Sequence, residues 1–479
     1  MGPRSYLGRK IPLIHYLISG APRGKDPSLY FCCAKYFQYN PGVRESGINP
    51  LAHFLLYGDR EDLYKFSEFS SAPLKDMINF LNPVGQASTP SGTEHAPEED
   101  SPAHRDAKFL TFCLSPQSRP MIIIDAELGG GSNLYSAGLA KEILEQSRSV
   151  ITLSYDSTLR CIKASAEYGD FRISFVLTHE QEILSLVPLG KAETIFVNEL
   201  VLWRSLESIF EILIALKDSW QAHLEFAAHD FFLLCPTVHL IDGQGNYCRL
   251  PSVDHCRKCL PGNRHSRDKW SDIDRWRDSW RSFIASIDKV LCFSNSTSEI
   301  IESIYPEVVG KVEIKPHHPL VTFPSGAYQV LRRQQLVIGI VGSILSYKGS
   351  PIVHDLAELL LKRNLEARIV VIGELRPACN IRNVSVTGRY RQEDLPGLLN
   401  RFGINVVLMP TVIPETFSFV TQEIIALGCP IVCFDLGAQA EQVRKYSLGR
   451  IASEISAQSA LQAILELMSE INERQRGFS

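Results

Sequence analysis

Short apolar runs recur along this chain, separated by stretches whose apolar positions fall three or four residues apart. MIIID (121–125) opens the first series. VITLSY (150–155), ISFVL (173–177), TIFVNEL (194–200) and KVLCFS (289–294) follow. A second series runs LVIGIVG (336–342), ARIVVIG (367–373), VSVTG (384–388), INVVLMP (404–410) and PIVCFD (430–435). Near-continuous apolar runs of this length read as strands buried on both faces. Between them lie helical patterns such as Leu134, Leu139, Ile143 and Leu144. Strands alternating with helices predict parallel α/β units, hence two doubly wound domains, at 109–320 and 321–479. Ligands of such sheets bind beyond the carboxyl ends of the strands, so the loops there are where chemistry is expected.

The first 108 residues have a different pattern. Pro12-Leu13-x-His15-Tyr16-Leu17-x-x-Gly20 recurs as Pro50-Leu51-x-His53-Phe54-Leu55-x-x-Gly58. Each copy reads as a short helix with Pro in its first turn and Gly at its stop. A small helical module is expected over 1–82, either docking to a partner or packing on the body. Residues 83–108 are rich in Pro, Ser, Glu and Ala without apolar periodicity, and read as a flexible linker. Near 270–287, Trp276, Trp280, Phe283, Ile284 and Ile287 form a helical stripe, with Ser271 as its expected cap. Arg264, Arg267, Lys269, Arg275, Arg277 and Arg281 surround it. The stripe reads as packed on a sheet with its arginines exposed; a basic helix on a membrane surface is the alternative.

Length and composition narrow the class. The 479 residues suffice for two or three domains. An apolar share of 45% and a charged share of 21% are those of a soluble globular protein. A net charge of −4 argues against nucleic-acid binding driven by global charge. No apolar run is long enough to span a bilayer. The chain therefore reads as cytoplasmic, with peripheral association at the inner face of the cell membrane as a further expectation. The 12 cysteines lack the spacing of a small secreted framework.

The chemistry is concentrated around 410–433. Glu415 lies in the loop after one strand, and Glu423 lies one or two turns inside the next helix. Thr416, Phe417 and Ser418 offer backbone N–H groups at that helix start, a natural pyrophosphate site. Carboxylates beside phosphates would repel them, so these two must hold hydroxyls. Phosphates flanked by hydroxyls describe a nucleotide sugar. Gly342 and Ser343 close an earlier strand, and Lys348 follows to neutralise phosphate charge.

PETFSF (414–419) and ALGCPIVC (426–433), with the seven residues between the two glutamates, resemble the signature of retaining glycosyltransferases of family 4, which have the GT-B fold. The resemblance extends over roughly 121–451. It implies that Glu415 holds the donor sugar, that Glu423 holds the ribose and that Lys348 contacts the diphosphate. It implies that Gly388 and Tyr390 lie against the nucleobase, and that 434–438 (FDLGA) backs the donor. The family's second basic residue upstream of Lys348 is not evident, since 343–346 read SILS. Gly130, Gly131 and Ser132 open a helix on the acceptor side. His229 ends HLEFAAHD, at a position where related enzymes place a histidine next to the reacting sugar; a packed His is the alternative. The resemblance implies front-face transfer with retention and neither a catalytic metal nor a cofactor; the nucleotide sugar is a co-substrate. The acceptor would be a glycan or lipid-linked oligosaccharide in bacterial surface polysaccharide synthesis, because the N-terminal repeats resemble an accessory segment of such enzymes.

Other readings stay open. The alternatives are a sugar-nucleotide epimerase on the same fold and a non-catalytic glycan-binding or scaffold subunit that uses the N-terminal repeats, against which the intact Glu415, Glu423 and Lys348 weigh. NAD is disfavoured because the 129–133 loop (GGGSN) lacks a full dinucleotide fingerprint. Cys235, Cys248, Cys256 and Cys259 fit a structural zinc site, reduced packed thiols or one reversible disulfide.

Overall fold

A computed structural model describes residues 49, 102–267, 270–319, 321–329 and 335–476. The two N-terminal repeats, Lys269 and most of the expected linker lie outside the described residues. The chain forms two compact units that divide between Leu224 and Glu225.

In the first unit, α1 (Pro102–Cys113) precedes β1 (Met121–Ala126), α2 (Gly131–Glu145) and β2 (Val150–Asp156). Then come β3 (Cys161–Tyr168), β4 (Phe171–Leu177), β5 (Thr194–Val197) and α3 (Leu206–Trp220). The strand order here is β4-β3-β2-β1-β5. β1 pairs in parallel with β2 and β5. Two expectations need correction. Composition extends the linker to 108, yet α1 already begins at Pro102, because Ala107, Leu110 and Cys113 recur on one buried helical face. The apolar pattern puts ISFVL in a parallel series, yet β2, β3 and β4 form an antiparallel meander. The tight turns on either side of β3 leave no room for a crossover helix, so antiparallel pairing is forced.

The second unit begins within β6 (His223–Ala227), whose Glu225–Ala227 stretch pairs in parallel with β7 (Lys289–Cys292). Between them lie α4 (Val253–Cys259) and α5 (Ile273–Ser286). After β7, α6 (Asn295–Glu302) leads to β8 (Val312–Ile314), also parallel to β7. The apolar stripe of α5 faces inward: Trp276 and Trp280 are fully buried. Its cap is Asp272 rather than Ser271, because the Asp272 carboxylate accepts from the amides of Asp274 and Arg275, both at 3.0 Å.

A six-stranded parallel sheet follows. Its elements are β9 (Leu336–Ile344), α7 (Ser350–Lys362), β10 (Ala367–Leu375), β11 (Val384–Val386) and α8 (Leu395–Phe402). They continue with β12 (Val406–Met409), α9 (Phe419–Ala426), β13 (Ile431–Phe434), α10 (Gly437–Arg444), β14 (Gly449–Ala452) and α11 (Ala457–Arg476). The strand order is β11-β10-β9-β12-β13-β14. Successive side chains of one strand serve two cores. Ile338 and Ile340 belong to the core that holds Leu356 of α7 and Leu461 and Ile464 of α11. Val337 and Val341 belong to the opposite core, with Leu399 of α8 and Ile424 of α9.

Candidate functional site

The order of the six strands locates a crevice. The chain winds outward from β9 through β10 to β11, then returns to β12 and winds the other way to β14. The loops after β9 and β12 therefore diverge at the switch point, where doubly wound sheets leave room for a ligand. Lys348 lies on the first loop and Glu415 on the second. Gly349 packs so tightly that an added Cβ would stand 1.9 Å from the Pro410 carbonyl oxygen. The Val412 amide donates to the Tyr347 carbonyl at 3.3 Å. These contacts bring Lys348 Nζ to 3.5 Å from Glu415 Oε1. The carboxylate holds the ammonium pKa above its ordinary value, and burial opposes this. The Lys348 side chain is still 42% exposed, against 14% for Glu415.

Glu415 is fixed from behind. Its amide donates to Gln439 Oε1 at 3.1 Å, and Gln439 Nε2 donates to the Ile413 carbonyl at 2.9 Å. The Ala438 amide donates to the Glu415 carbonyl at 2.9 Å. Gly437, at φ +56°, has no room for a side chain: a Cβ would meet Glu415 N at 2.5 Å. The FDLGA loop that the resemblance places behind the donor is thus the backing of Glu415. Thr411 Oγ1 stands 3.3 Å from Glu415 Oε1.

Glu423 is in the second turn of α9, only 5% exposed. Gln392 Nε2 donates to its Oε1 at 2.9 Å, and its Oε2 is buried with no hydrogen-bond partner among the described residues. Burial pushes its pKa up to about 7, with the Gln392 bond opposing. Tyr390 lies close enough for the Glu423 charge to add to burial in raising the phenol pKa. It is half-buried. Gly388, at φ +82°, donates its amide to the Gly373 carbonyl at 3.0 Å and turns the chain toward Tyr390. A cavity of about 660 Å³ opens beside Tyr390, lined also by Arg389, Glu393, Arg401 and Phe402. Ser343 is exposed near the end of β9, and Gly342 beside it takes φ +114°.

The loop between the glutamates needs one correction. Ser418 is the N-cap of α9, so the free amides begin at Phe419, not at Thr416. Thr416 and Ser418 are buried. The Thr416 hydroxyl donates to the His229 carbonyl at 2.6 Å. The Thr416 carbonyl accepts from the hydroxyls of Ser294 at 3.0 Å and Thr297 at 3.2 Å. The His229 ring stacks on Phe293 at 4.6 Å and on His317 at 5.6 Å. His317 in turn meets Phe417 at 4.8 Å. Burial, then the His317 charge, depress the His229 pKa to about 3, and burial takes His317 to about 4. His229 is therefore a neutral imidazole at physiological pH, able to hydrogen-bond but not to titrate near 7.

In the first unit, the glycine loop is preorganised. Asp125, 3% exposed, accepts from Ser136 Oγ at 2.5 Å, Asn133 Nδ2 at 3.1 Å and Asn198 Nδ2 at 2.9 Å. Asn133 Oδ1 accepts from the Gly129 amide. Gly130, at φ +80°, caps α2, which begins with Gly131 and Ser132. A Cβ on Gly129 or Gly130 would meet nothing within 4 Å, and both residues are exposed.

Three further side chains of the site carry no mark in the sequence patterns used above. Gln439 and Gln392 orient the two glutamates. Gln392 follows Tyr390 by two positions, so its proximity is a usable signal; Gln439 has none. His239 stacks on Tyr347 at 4.4 Å, beside Lys348. Burial, then the charges of Lys348 and Arg267, depress its pKa to about 4. Nothing local in HLID marks this pairing. Among the described residues, no group of three or more His, Cys, Asp or Glu side chains stands at metal-binding geometry. Nor is any helix among them long and apolar enough to cross a membrane.

Residues 329–477 match the family model described as Glycosyl transferases group 1. No curated protein matches the chain. Among solved structures, it is similar to sucrose-phosphate synthase from Thermosynechococcus elongatus, 14% identical over 73% of this chain and 90% of that one, with a TM-score of 0.48. Anabaena HepE in complex with UDP is 14% identical over 74% and 91%, with a TM-score of 0.46. The catalytic domain of starch synthase IV from Arabidopsis thaliana, bound to ADP and acarbose, is 11% identical over 74% and 92%, with a TM-score of 0.46.

Proposed function

With residues 329–477 as a glycosyl transferases group 1 domain, we propose that the chain transfers a sugar from a nucleotide-sugar donor to a glycan acceptor. The observation that carries this reading is the buried, unpartnered Oε2 of Glu423, 5% exposed, across the switch-point loops from the Lys348–Glu415 pair. An unsatisfied buried carboxylate oxygen costs free energy until a donor reaches it. A ribose hydroxyl is such a donor. Lys348 would then face the diphosphate, the α9 amides from Phe419 onward would take phosphate oxygens, and Glu415 would accept from the sugar hydroxyls. Tyr390 and Gly388 would border the base.

The finer reading is a retaining, metal-independent GT-B enzyme of the family 4 type. The leaving diphosphate, stabilised by Lys348 and the helix amides, takes up the acceptor proton on the face it leaves. His229, neutral and stacked, serves as a hydrogen-bonding wall of the reaction centre rather than as a general base. Gly130, Gly131 and Ser132 would take an oxygen of a glycan or lipid-linked acceptor. Surface polysaccharide synthesis at the cytoplasmic face rests on the repeats at 12–20 and 50–58.

A melting-temperature screen against UDP, GDP, ADP, dTDP and their sugars tests the reading, because a ligand bound only by the folded chain raises the midpoint. One nucleotide should stabilise the wild type and lose its effect in Glu423→Ala and Lys348→Ala. Stabilisation by none of them, together with unchanged glycan assembly in Glu415→Ala cells, would favour a scaffold instead.

A further inference from the structure

The turn 236–241, which follows β6, is strained on both sides of one residue. Val238 and Leu240 adopt φ of +64° and +55°. Bulky residues rarely take such angles, a β-branched one least of all, and they persist only where the surroundings over-determine them. Here they do. The Val238 amide donates to the Cys235 carbonyl at 3.0 Å, and the Val238 carbonyl accepts from the Phe231 amide at 3.1 Å. The Leu240 carbonyl accepts from the Cys248 amide at 2.9 Å. The Ile241 amide donates to Thr237 Oγ1 at 3.3 Å, and the Ile241 carbonyl accepts from Asn263 Nδ2 at 2.9 Å. Pro236, Thr237, Val238, Leu240 and Ile241 are buried, while His239, between the two strained residues, is half-buried. Backbone held in this way collects at functional sites.

The turn delivers the His239 ring to the Lys348 loop. The ring stacks on Tyr347 with centroids 4.4 Å apart and planes 27° from parallel. The Tyr347 carbonyl accepts from the Val412 amide, which ties the same residue to the Glu415 loop. Lys348 comes next, with Nζ 3.5 Å from Glu415 Oε1. The His239 ring nitrogens make no hydrogen bond to a described residue. The charges that reach the ring are those of Lys348 and Arg267, both cations. After burial, they hold its pKa at about 4, so the imidazole is neutral and keeps one N–H to donate.

A ring with a free N–H, set between cations on the loop of the exposed Lys348, suits an anion. The stretch 343–346 (SILS) has no basic residue ahead of Lys348, so that loop offers a diphosphate a single cation. Resting on the nucleotide-sugar reading above, we propose that His239 donates a ring N–H to a phosphate oxygen of the donor diphosphate, beside Lys348, in the place of the absent second cation. A hydrogen bond to a charged phosphate oxygen is among the stronger ones a neutral side chain can make. His239 lies outside 329–477, the stretch that matches the group 1 family. The diphosphate contact is therefore completed from the β6 side of the unit.

Titration calorimetry of the full chain with UDP, GDP, ADP, dTDP and inorganic pyrophosphate tests this. The nucleoside diphosphate that binds the wild type should bind His239→Ala roughly 10- to 100-fold more weakly, the effect of one lost hydrogen bond to a charged group. Pyrophosphate should weaken in the same proportion. His239→Phe keeps a ring against Tyr347 without an N–H, and should be as weak as His239→Ala. His239→Gln keeps a donor, and should recover part of the affinity. Full affinity in His239→Phe would reduce the ring to a prop for Tyr347 and overturn the contact. Unchanged affinity in His239→Ala would overturn it too, and either result leaves the nucleotide-sugar reading standing. A wild type that binds pyrophosphate through His239 but none of the four nucleoside diphosphates would keep the contact and count against that reading. Binding of neither kind of ligand would overturn the contact. Melting curves check each variant, and the Phe and Gln substitutions decide the matter where His239→Ala fails to fold.

Discussion

Lys348 Nζ and Glu415 Oε1, on two different loops of the switch point, stand 3.5 Å apart. The lysine side chain is 42% exposed, so the pair contributes little to folding. On the proposed function, its value would lie in placing a cation where a diphosphate arrives. Lys348→Ala is expected to lower kcat/KM by roughly 100-fold or more, the size typical of one lost transition-state charge contact. Its melting temperature should stay close to wild type. Steady-state kinetics beside a melting curve separate the two; a large loss of stability would assign Lys348 to the fold instead.

Glu423 gives a pH signature. Its carboxyl titrates at about 7 when folded, raised by burial from 4.5. The folded state therefore keeps a proton that the unfolded state loses. Stability from this residue is fully present below 4.5, declines as pH rises toward 7 and is flat above. The whole span is about 3 kcal/mol. Glu423→Gln should remove that decline. A bound ribose donating to the carboxylate favours the ionised form, so nucleotide binding near pH 6 should release a proton. Calorimetry in buffers of different ionisation enthalpy measures it, and zero proton release would count against the ribose contact.

Gly437→Ala probes the backing of Glu415. The residue sits at φ +56°, and its new Cβ would press on Glu415 N and on Pro414 Cα, 2.7 Å away. The left-handed conformation alone costs about 1 kcal/mol. The contact adds a displacement of Glu415. Turnover should fall by roughly 10- to 100-fold, since small misplacements of a positioned group are felt strongly. Nucleotide diphosphate affinity, read from titration calorimetry, should change much less.

How much of this was legible in the sequence differs by scale. The apolar runs announced β9 to β13 of the six-stranded sheet, most of them buried on both faces, but not β14, whose short run GRIA carries an arginine and is mostly half-buried. The Trp276–Trp280 stripe was equally plain. The antiparallel β3 was not, because its run CIKASAEY mixes lysine and glutamate with small residues. The glutamate pair was readable because both members lie on one loop and the following helix. Their supports were not. Gln439 reaches Glu415 across 24 positions and Thr416 reaches His229 across 187. Such contacts are decided by topology, which no local pattern encodes.

Thr416→Val removes one of those contacts while keeping the side chain's shape. The His229 carbonyl loses its donor within a buried site, which is expected to cost about 1–2 kcal/mol. Chemical denaturation should show a lower midpoint. A pH–rate profile of the wild type should in addition lack any His229 ionisation between 5 and 8, since that ring titrates at about 3.

The anchoring of Thr416 has a consequence for building chimaeras. The stretch that matches the group 1 family, 329–477, includes Thr416 but not His229, Ser294 or Thr297. Grafted alone onto a foreign N-terminal half, that stretch would leave a buried hydroxyl and a buried carbonyl stranded beside Glu415. The heritable parcel that holds the Glu415 loop in place is therefore larger than the recognisable module. A recombinant that keeps this loop anchored has to carry the β6 and β7 loop residues along with it.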